Sequence, residues 1–226
     1  MTEPAARLDP ASVTVGILGG TGDQGRGLAR RLALAGTSVV IGSRDAARAA
    51  AAAAEVAEGR LPVRGAANAE AASSAEVVIV AVPYDGHRDL LLGLADELAG
   101  KVVVDCVNPL GFDKQGAFAL SVAEGSATQQ AAALLPGSTV VGAFHNVSAV
   151  LLEDDEVTSV DTDVLVLGDD RDATDLVQAL ASVVPGMRGV YGGRLRNAHQ
   201  VEALTANLIS VNRRYKAHAG VRVTDI

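Results

Sequence analysis

Tryptophan is absent from this 226-residue chain, and three tyrosines and three phenylalanines are its only other benzenoid side chains. A core must therefore be assembled from Val, Leu, Ile and Ala, which a hydrophobic content of 49% supplies in quantity. Cysteine is almost missing too. Cys106 stands alone, so no intrachain disulfide can form, and a reducing, cytoplasmic setting fits. At the end of an apolar run it reads as a small buried residue rather than a nucleophile. No apolar run is long enough to span a bilayer, and residues 1–12 lack the apolar core of a secretory leader. Residues 1–10 read as a loose extension. No His or Cys pair has metal-ligand spacing, so no metal is expected. Excess positive charge is also lacking: the net charge of −8 argues against nucleic acid as a partner.

The charge that is present is uneven. Residues 187–226 hold seven Arg and Lys against only Glu202 and Asp225. Such a basic tail suits an anionic ligand or an acidic face as well as it suits a solvated helix. The acidic run at 153–156 (EDDE) reads as a solvated loop, and DDRD at 169–172 as the capped start of a helix.

Glycine, in contrast, is abundant and placed with purpose. Residues 13–48 read VTVGILGGTGDQGRGLARRLALAGTSVVIGSRDAAR. A β-compatible run leads into Gly20, Gly22 and Gly25 in G-x-G-x-x-G spacing, then an amphipathic helix, then a second apolar run. Strand, glycine turn, helix and strand are the context a dinucleotide fingerprint requires. Gly20 is expected to permit the tight turn, Gly22 to remove a Cβ that would block a pyrophosphate, and Gly25 to let helix and sheet pack closely. The free N–H groups of the helix start would then face the phosphates.

The end of the second strand selects the nucleotide. An NAD site places a carboxylate about 20 residues beyond the glycines to bind the ribose hydroxyls. Ser43 and Arg44 occupy that place, with Arg48 one helical turn later. A hydroxyl and two guanidiniums would hold a 2′-phosphate that a carboxylate would repel, so NADP is the expected nucleotide.

Farther along, an alanine-rich helix at 46–57 precedes a short strand near Val63 and a short helix at 68–75. The run VVIVAV at 77–82 is continuous and apolar, as in a parallel strand covered on both faces. A helix at 87–98 and a strand at 102–107 follow, then a long connection at 108–122. A helix at 123–135, a strand at 139–145, a strand at 163–168, a helix at 173–184 and a last strand at 187–191 complete the rhythm. Strands alternating with helices predict an α/β fold: a Rossmann-like, doubly wound, mostly parallel sheet with a short C-terminal helical portion. Residues 13–185 form the nucleotide-binding domain and 186–226 a small C-terminal segment. The final helix begins at Asn197, with Asn197 and Gln200 spaced like a capping box, and carries an apolar stripe of Val201, Leu204, Leu208, Val211 and Tyr215. His87, His199 and His218 read as structural or surface residues.

Together the segments GGTGDQGRGLARRLALAG, IGSRDAAR, AVPYDGH, VNPL, GAFHNVSA, VLVLGDD and RNAHQVEALTANLISVNRRYKAHAG resemble the NADPH-dependent coenzyme F420 reductases. The similarity runs from Val13 to about Val223. It implies reversible hydride transfer between NADPH and the deazaflavin, both bound as co-substrates by a homodimer. By position it implies that Thr21, Gly22, Asp23 and Gln24 meet the pyrophosphate, and Ser43, Arg44 and Arg48 the 2′-phosphate. Pro83, Tyr84 and Leu110 would border the nicotinamide. His145, Val147 and Ala149 would lie where the rings meet, and Gly220 would approach the deazaflavin. His145 is the candidate catalytic residue, as a hydrogen-bond donor, a proton source or a positioning group. Arg194, Arg196, Arg213 and Arg214 are candidates for the anionic tail of the deazaflavin. One departure is Ser148, where some relatives have proline. Two other readings share the fold: an imine or pyrroline-carboxylate reductase, for which the roughly 40 residues after Gly186 are few, and a non-catalytic NADP sensor, which should lack a second pocket.

Overall fold

The computed structural model describes residues 12–226. The stretch read as a loose extension, and most of the stretch read as lacking a leader, lies outside the described residues. The glycine-punctuated segment folds as its spacing predicts. β1 (Thr14–Leu18) runs through the turn into α1 (Asp23–Leu34) and returns as β2 (Ser38–Ser43), parallel to β1 with Thr14 beside Ser38. α2 (Ala46–Ala57), β3 (Val63–Ala67), α3 (Asn68–Ser73) and β4 (Val77–Val80) continue the alternation. Next come α4 (His87–Gly93), α5 (Ala95–Leu98), β5 (Val102–Asp105), the pair β6 (Leu110–Asp113) and β7 (Gly116–Ala119), and α6 (Ala127–Leu134). The chain closes with β8 (Thr139–Gly142), α7 (Ala149–Glu153), β9 (Thr162–Gly168), α8 (Arg171–Ser182), β10 (Met187–Gly193) and α9 (Ala198–Tyr215).

Eight strands form one sheet in the order β10-β9-β8-β5-β4-β1-β2-β3. Neighbours pair in parallel except β8 with β9. The order reverses at β1, whose neighbours are β2 and β4, and the carboxyl ends of these strands meet there, where doubly wound sheets bind ligands. The continuous apolar run predicted for β4 is explained by its position. Val77 and Ile79 face one hydrophobic cluster, Val78 and Val80 the other, and all four are fully buried.

Several boundaries differ from the sequence reading. The long connection at 108–122 contains a hairpin, with Leu110 opposite Ala119 and Asp113 opposite Gly116. Its turn is closed by the Asp113 carboxylate, which accepts from the N–H groups of Gln115 (2.7 Å) and Gly116 (3.1 Å). The helix expected at 87–98 breaks into α4 and α5 around Gly93 and Leu94. α6 starts later than expected because Ser126 caps it, accepting from Gln129 N–H. The strand expected to reach residue 145 stops at Gly142. Asn197 precedes α9 without a side-chain capping bond; its amide lies against Gly193 instead. The acidic run at 169–172 does cap α8, with Asp170 accepting from Ala173 N–H at 2.8 Å. β10 belongs to the main sheet, so the part of the C-terminal segment that stands off the sheet begins after Gly193.

Candidate functional site

Each glycine of the fingerprint answers to a different neighbour. The left-handed residue of the turn is Gly19 (φ +77°), not Gly20, which corrects the role expected for Gly20. A Cβ on Gly20 would come within 2.9 Å of the Ile17 carbonyl and the Ile41 side chain, so its bareness lets the turn lie against β2. A Cβ on Gly25 would stand 2.7 Å from Gly19 O and Gly20 Cα, so this glycine seats the helix on the turn. A Cβ on Gly22 would meet nothing closer than 3.5 Å. Gly22 is therefore bare toward the cleft rather than toward the protein. No side chain caps α1, leaving its first N–H groups for an anion.

At the end of β2, Ser43 is buried and its hydroxyl accepts from Asp45 N–H at 3.2 Å. The one carboxylate nearby, Asp45, is occupied in capping α2 through Ala47 N–H (2.8 Å) and Arg48 N–H (3.3 Å). Arg44 and Arg48 are exposed, and neither has a side-chain ion pair among the described residues. Two unpaired guanidiniums beside an acid committed to the helix form a cradle suited to a phosphate dianion.

A cleft of about 450 Å³ lies beside the glycine turn, and Ser43, Arg44 and Arg48 are outside its lining. Gly22, Asp23 and Gln24 form one wall, Ala81 to Pro83 and Cys106 to Asn108 the floor, and His145, Val147, Ala149 and Thr205 the far wall. Of the residues read from sequence, Gly22, Asp23, Gln24, Pro83, His145, Val147 and Ala149 are thus brought together. Gly20, Thr21 and Gly25 lie in the turn behind them. Tyr84 begins a 3₁₀ turn next to Pro83, and Leu110 opens the hairpin. Gly220 rests on Thr162, whose hydroxyl accepts from Val221 N–H at 3.2 Å.

His145 is presented by a constrained turn. Phe144, fully buried, takes a left-handed backbone (φ +62°) that costs a bulky residue about 1–2 kcal/mol. Its carbonyl accepts from Gln24 Nε2 at 3.3 Å, linking this turn to the start of α1. The His145 carbonyl accepts from Asn108 Nδ2 (2.9 Å) and Thr205 Oγ1 (3.0 Å). Asn146 Nδ2 donates to Val201 O (3.0 Å) and Thr205 Oγ1 (2.9 Å). The backbone is held from both sides, yet neither nitrogen of the buried ring has a hydrogen-bond partner. Burial pushes the imidazole below its ordinary value, against the pull of Glu202 and Asp105, so the ring is neutral at pH 7.

Sequence reasoning gave no role to Thr205 or Glu202 and did not reveal the bonds of Asn108 and Asn146, all of which are joined to the site through contacts distant in sequence. It also placed His87 at the surface, whereas His87 is fully buried. His87 Nε2 lies 2.6 Å from the Asp105 carboxylate, and Nδ1 lies 3.0 Å from Gln130 Oε1. Gln130 Nε2 donates to Glu124 at 3.1 Å, which fixes the amide so that its oxygen faces the ring. Both His87 nitrogens therefore carry hydrogen. Burial opposes that charge, but the bonds from Asp105 and Gln130 outweigh it and raise the imidazole above its ordinary value. Asp105 uses its other oxygen to accept from Val107 N–H at 3.1 Å, so the pair buttresses the floor of the cleft. Cys106 is buried as expected; burial pushes its thiol up, and Sγ donates to Val80 O.

The run at 153–156, expected to be solvated, is partly engaged. Glu153 pairs with Arg26 and Asp155 with Arg30, both arginines on α1. Arg31, buried on the same helix, donates to the carbonyls of Leu151, Leu152, Asp154 and Val157 at 2.6–2.8 Å. α7 approaches so closely that a Cβ on Gly27 would stand 2.5 Å from Leu152 Cβ.

A doubly wound parallel sheet with this turn, this helix start and this cleft defines a Rossmann-type dinucleotide-binding protein. Residues 14–109 match the family described as NADP oxidoreductase, coenzyme F420-dependent. Over 222 residues the chain is 42% identical to the F420-dependent NADP reductase of Methanothermobacter marburgensis, covering 94% of this chain and 98% of that relative. A candidate F420-dependent NADP reductase from Arthrobacter sp. FB24, solved as a crystal structure, matches with a TM-score of 0.81 and 27% identity over 95% of this chain and 100% of that one. A pyrroline-5-carboxylate reductase from Coxiella burnetii shares the fold alone, with a TM-score of 0.62 and 16% identity over 89% of this chain and 66% of that one. The chain belongs to the F420-dependent NADP reductase family.

Proposed function

We infer that this protein catalyses reversible hydride transfer between NADPH and coenzyme F420, with both bound as co-substrates. The observation that carries this reading is the continuity of the cleft. One wall is an uncapped helix start with a glycine bare toward the space, and the other is the His145–Ala149 segment. Gly22, Asp23 and Gln24 hold the pyrophosphate, and Ser43, Arg44 and Arg48 the 2′-phosphate. Pro83, with Tyr84 and Leu110 behind it, borders the nicotinamide. When both co-substrates are bound, the reduced nicotinamide supplies a hydride and the deazaflavin accepts it along with a proton. The protein's own task is then to hold two flat rings against each other, exclude water and supply hydrogen bonds, with no nucleophile needed. His145, a neutral and unpartnered ring in the wall, offers the polar group of that surface. Gly220 and the arginines of the C-terminal segment serve the deazaflavin side.

A homodimer in the cytoplasm completes the reading. The hairpin and the outer half of α9 expose Phe112 (69%), Phe118 (45%), Val211 (37%) and Tyr215 (72%), apolar surface that a second copy would cover. Sedimentation of the purified chain at micromolar concentration distinguishes a dimer from a monomer.

The test of function is direct. Oxidised deazaflavin is mixed with the protein and either NADPH or NADH, and bleaching of its visible absorbance is followed. Fast bleaching with NADPH alone is expected. Equal rates with both nucleotides would remove the 2′-phosphate assignment, and no bleaching with either would remove the reaction.

A further inference from the structure

Glu202 is a carboxylate in an unusual place. It is the only acid on α9 and is 1% exposed, in a helix whose bases, His199, Arg213 and Arg214, face solvent. Its Oε2 accepts from Ala127 N–H at 2.9 Å, and its Oε1 from Thr128 N–H at 3.0 Å and Thr128 Oγ1 at 2.8 Å. With Ser126 taking Gln129 N–H, these bonds satisfy the opening N–H groups of α6 and place the anion on the positive end of that helix. Three donors and a helix start thus hold this carboxylate in the interior.

The same Oε1 lies 4.0 Å from His145 Nε2, across an interval with no hydrogen bond and within ion-pair range. The ring is packed so that its Cε1 would be 3.1 Å from a Cβ on Gly142, and Thr128 Oγ1 would be 3.0 Å from the same atom. Glycine at the end of β8 thus leaves room for the imidazole and for the threonine that holds Glu202. The charged groups facing the ring are Glu202 from α9 and Asp105 from β5, and Asp105 is already paired with His87. Of these two, Glu202 is the one within ion-pair range of the ring, and its charge also favours protonated His87.

We propose that Glu202 is a positioning residue for His145: an interior carboxylate, anchored on the start of α6, whose charge lies beside the imidazole and lets this buried ring take up a proton from the cleft. This rests on the reading that His145 faces the co-substrates. It goes further in naming what makes a fully buried, partnerless histidine usable, and it gives α9 a function in the chemistry of the site besides closing it. An anion at this distance favours the protonated ring, while burial alone disfavours it.

The test compares wild type with Glu202→Gln by NMR titration of the His145 ring, assigned through its loss in His145→Asn. Glutamine keeps an oxygen for the α6 N–H groups while removing the charge. The expected result is a titration midpoint lower by roughly one pH unit in the Gln variant. The pH profile of deazaflavin reduction should shift in the same direction. In the His145→Asn background, Glu202→Gln should change neither the rate nor its pH profile. An unchanged midpoint in a folded Gln variant, with only the melting temperature reduced, would leave Glu202 a helix cap and overturn the proposal. Should the Gln variant fail to fold, Glu202→Asp keeps the charge but draws it back from the ring. A lower midpoint there supports the proposal and an unmoved one overturns it. If His145→Asn reduces the deazaflavin at the wild-type rate, the functional reading of His145 fails, whereas the midpoint comparison still decides whether Glu202 and His145 are coupled.

Discussion

The two walls of the cleft are built by different rules. The nucleotide wall, from β1 to α2, is made of backbone: bare glycines, an uncapped helix start and one capped helix, all set by neighbours within about 30 positions. The opposite wall is made of side chains that reach across the chain. Thr205 holds His145 from 60 positions away, Glu202 holds Thr128 from 74, and Asn108 holds His145 from 37. Backbone geometry suits a ligand part that never changes, such as a pyrophosphate. Buried polar side chains, each needing its partner, suit a surface that must present one imidazole in one state. The first kind of wall tolerates solvent-facing substitutions, and the second is weakened when a partner is removed, most where a buried charge is left behind.

The largest break in that contrast comes from His87→Leu. It leaves Asp105 charged and alone in the interior, at a cost of about 3–5 kcal/mol in chemical denaturation. The pH dependence follows from the direction of the shift. The folded value of His87 lies above its ordinary value, so its contribution to stability is fully present below that ordinary value. It is lost as the pH rises through the raised folded value. Wild type should therefore lose stability as the pH rises above the ordinary imidazole value, and that slope should flatten in the Leu variant.

On the nucleotide wall, removing both Arg44 and Arg48 by alanine should raise the KM for NADPH by roughly a hundredfold, since charge-assisted bonds to a phosphate contribute about 1.5–3 kcal/mol each before solvent exposure reduces them. The KM for NADH should hardly move. A steady-state comparison of the two nucleotides checks this, and a parallel loss with NADH would refute the 2′-phosphate cradle.

A pair of glycine variants sharpens the distinction between packing and binding. Gly25→Ala forces a methyl group into Gly19 and Gly20 and should destabilise the fold by about 1–3 kcal/mol. Gly22→Ala meets no protein atom closer than 3.5 Å, so its melting temperature should stay within a degree or two while NADPH affinity falls. Calorimetry of both variants separates the effects. The smallest change is expected from Thr205→Val, which removes one donor to the His145 carbonyl at about 1 kcal/mol. Its consequence should appear in the deazaflavin KM rather than in NADPH binding.

The same contrast governs what could be read in the sequence. The fingerprint, the alternation of strands and helices in the first half and the lack of an acid at the end of β2 are local patterns, so spacing was enough to recover them. The hairpin at β6 and β7 escaped because its strands are four residues each and glycine interrupts both ends. His87 reads as a surface residue at a helix start, since nothing adjacent reveals a carboxylate at the end of another strand. Glu202 carried one weak signal: a charged residue next to Val201 and one turn before Ala206, on a helix flank that otherwise turns inward. Asn197 and Gln200 have capping-box spacing, but the close approach of the Asn197 amide to Gly193 removes the cap.

Arg31 and Gly27 lie four positions apart on α1 and between them fix the seat of α7, one through four carbonyls and the other through the absence of a side chain. The helix proposed to meet the nucleotide phosphates therefore also serves as the gauge for the opposite wall. The width of the cleft is written into that helix. A family member that altered either residue would re-space its cleft without touching a single ligand-facing position.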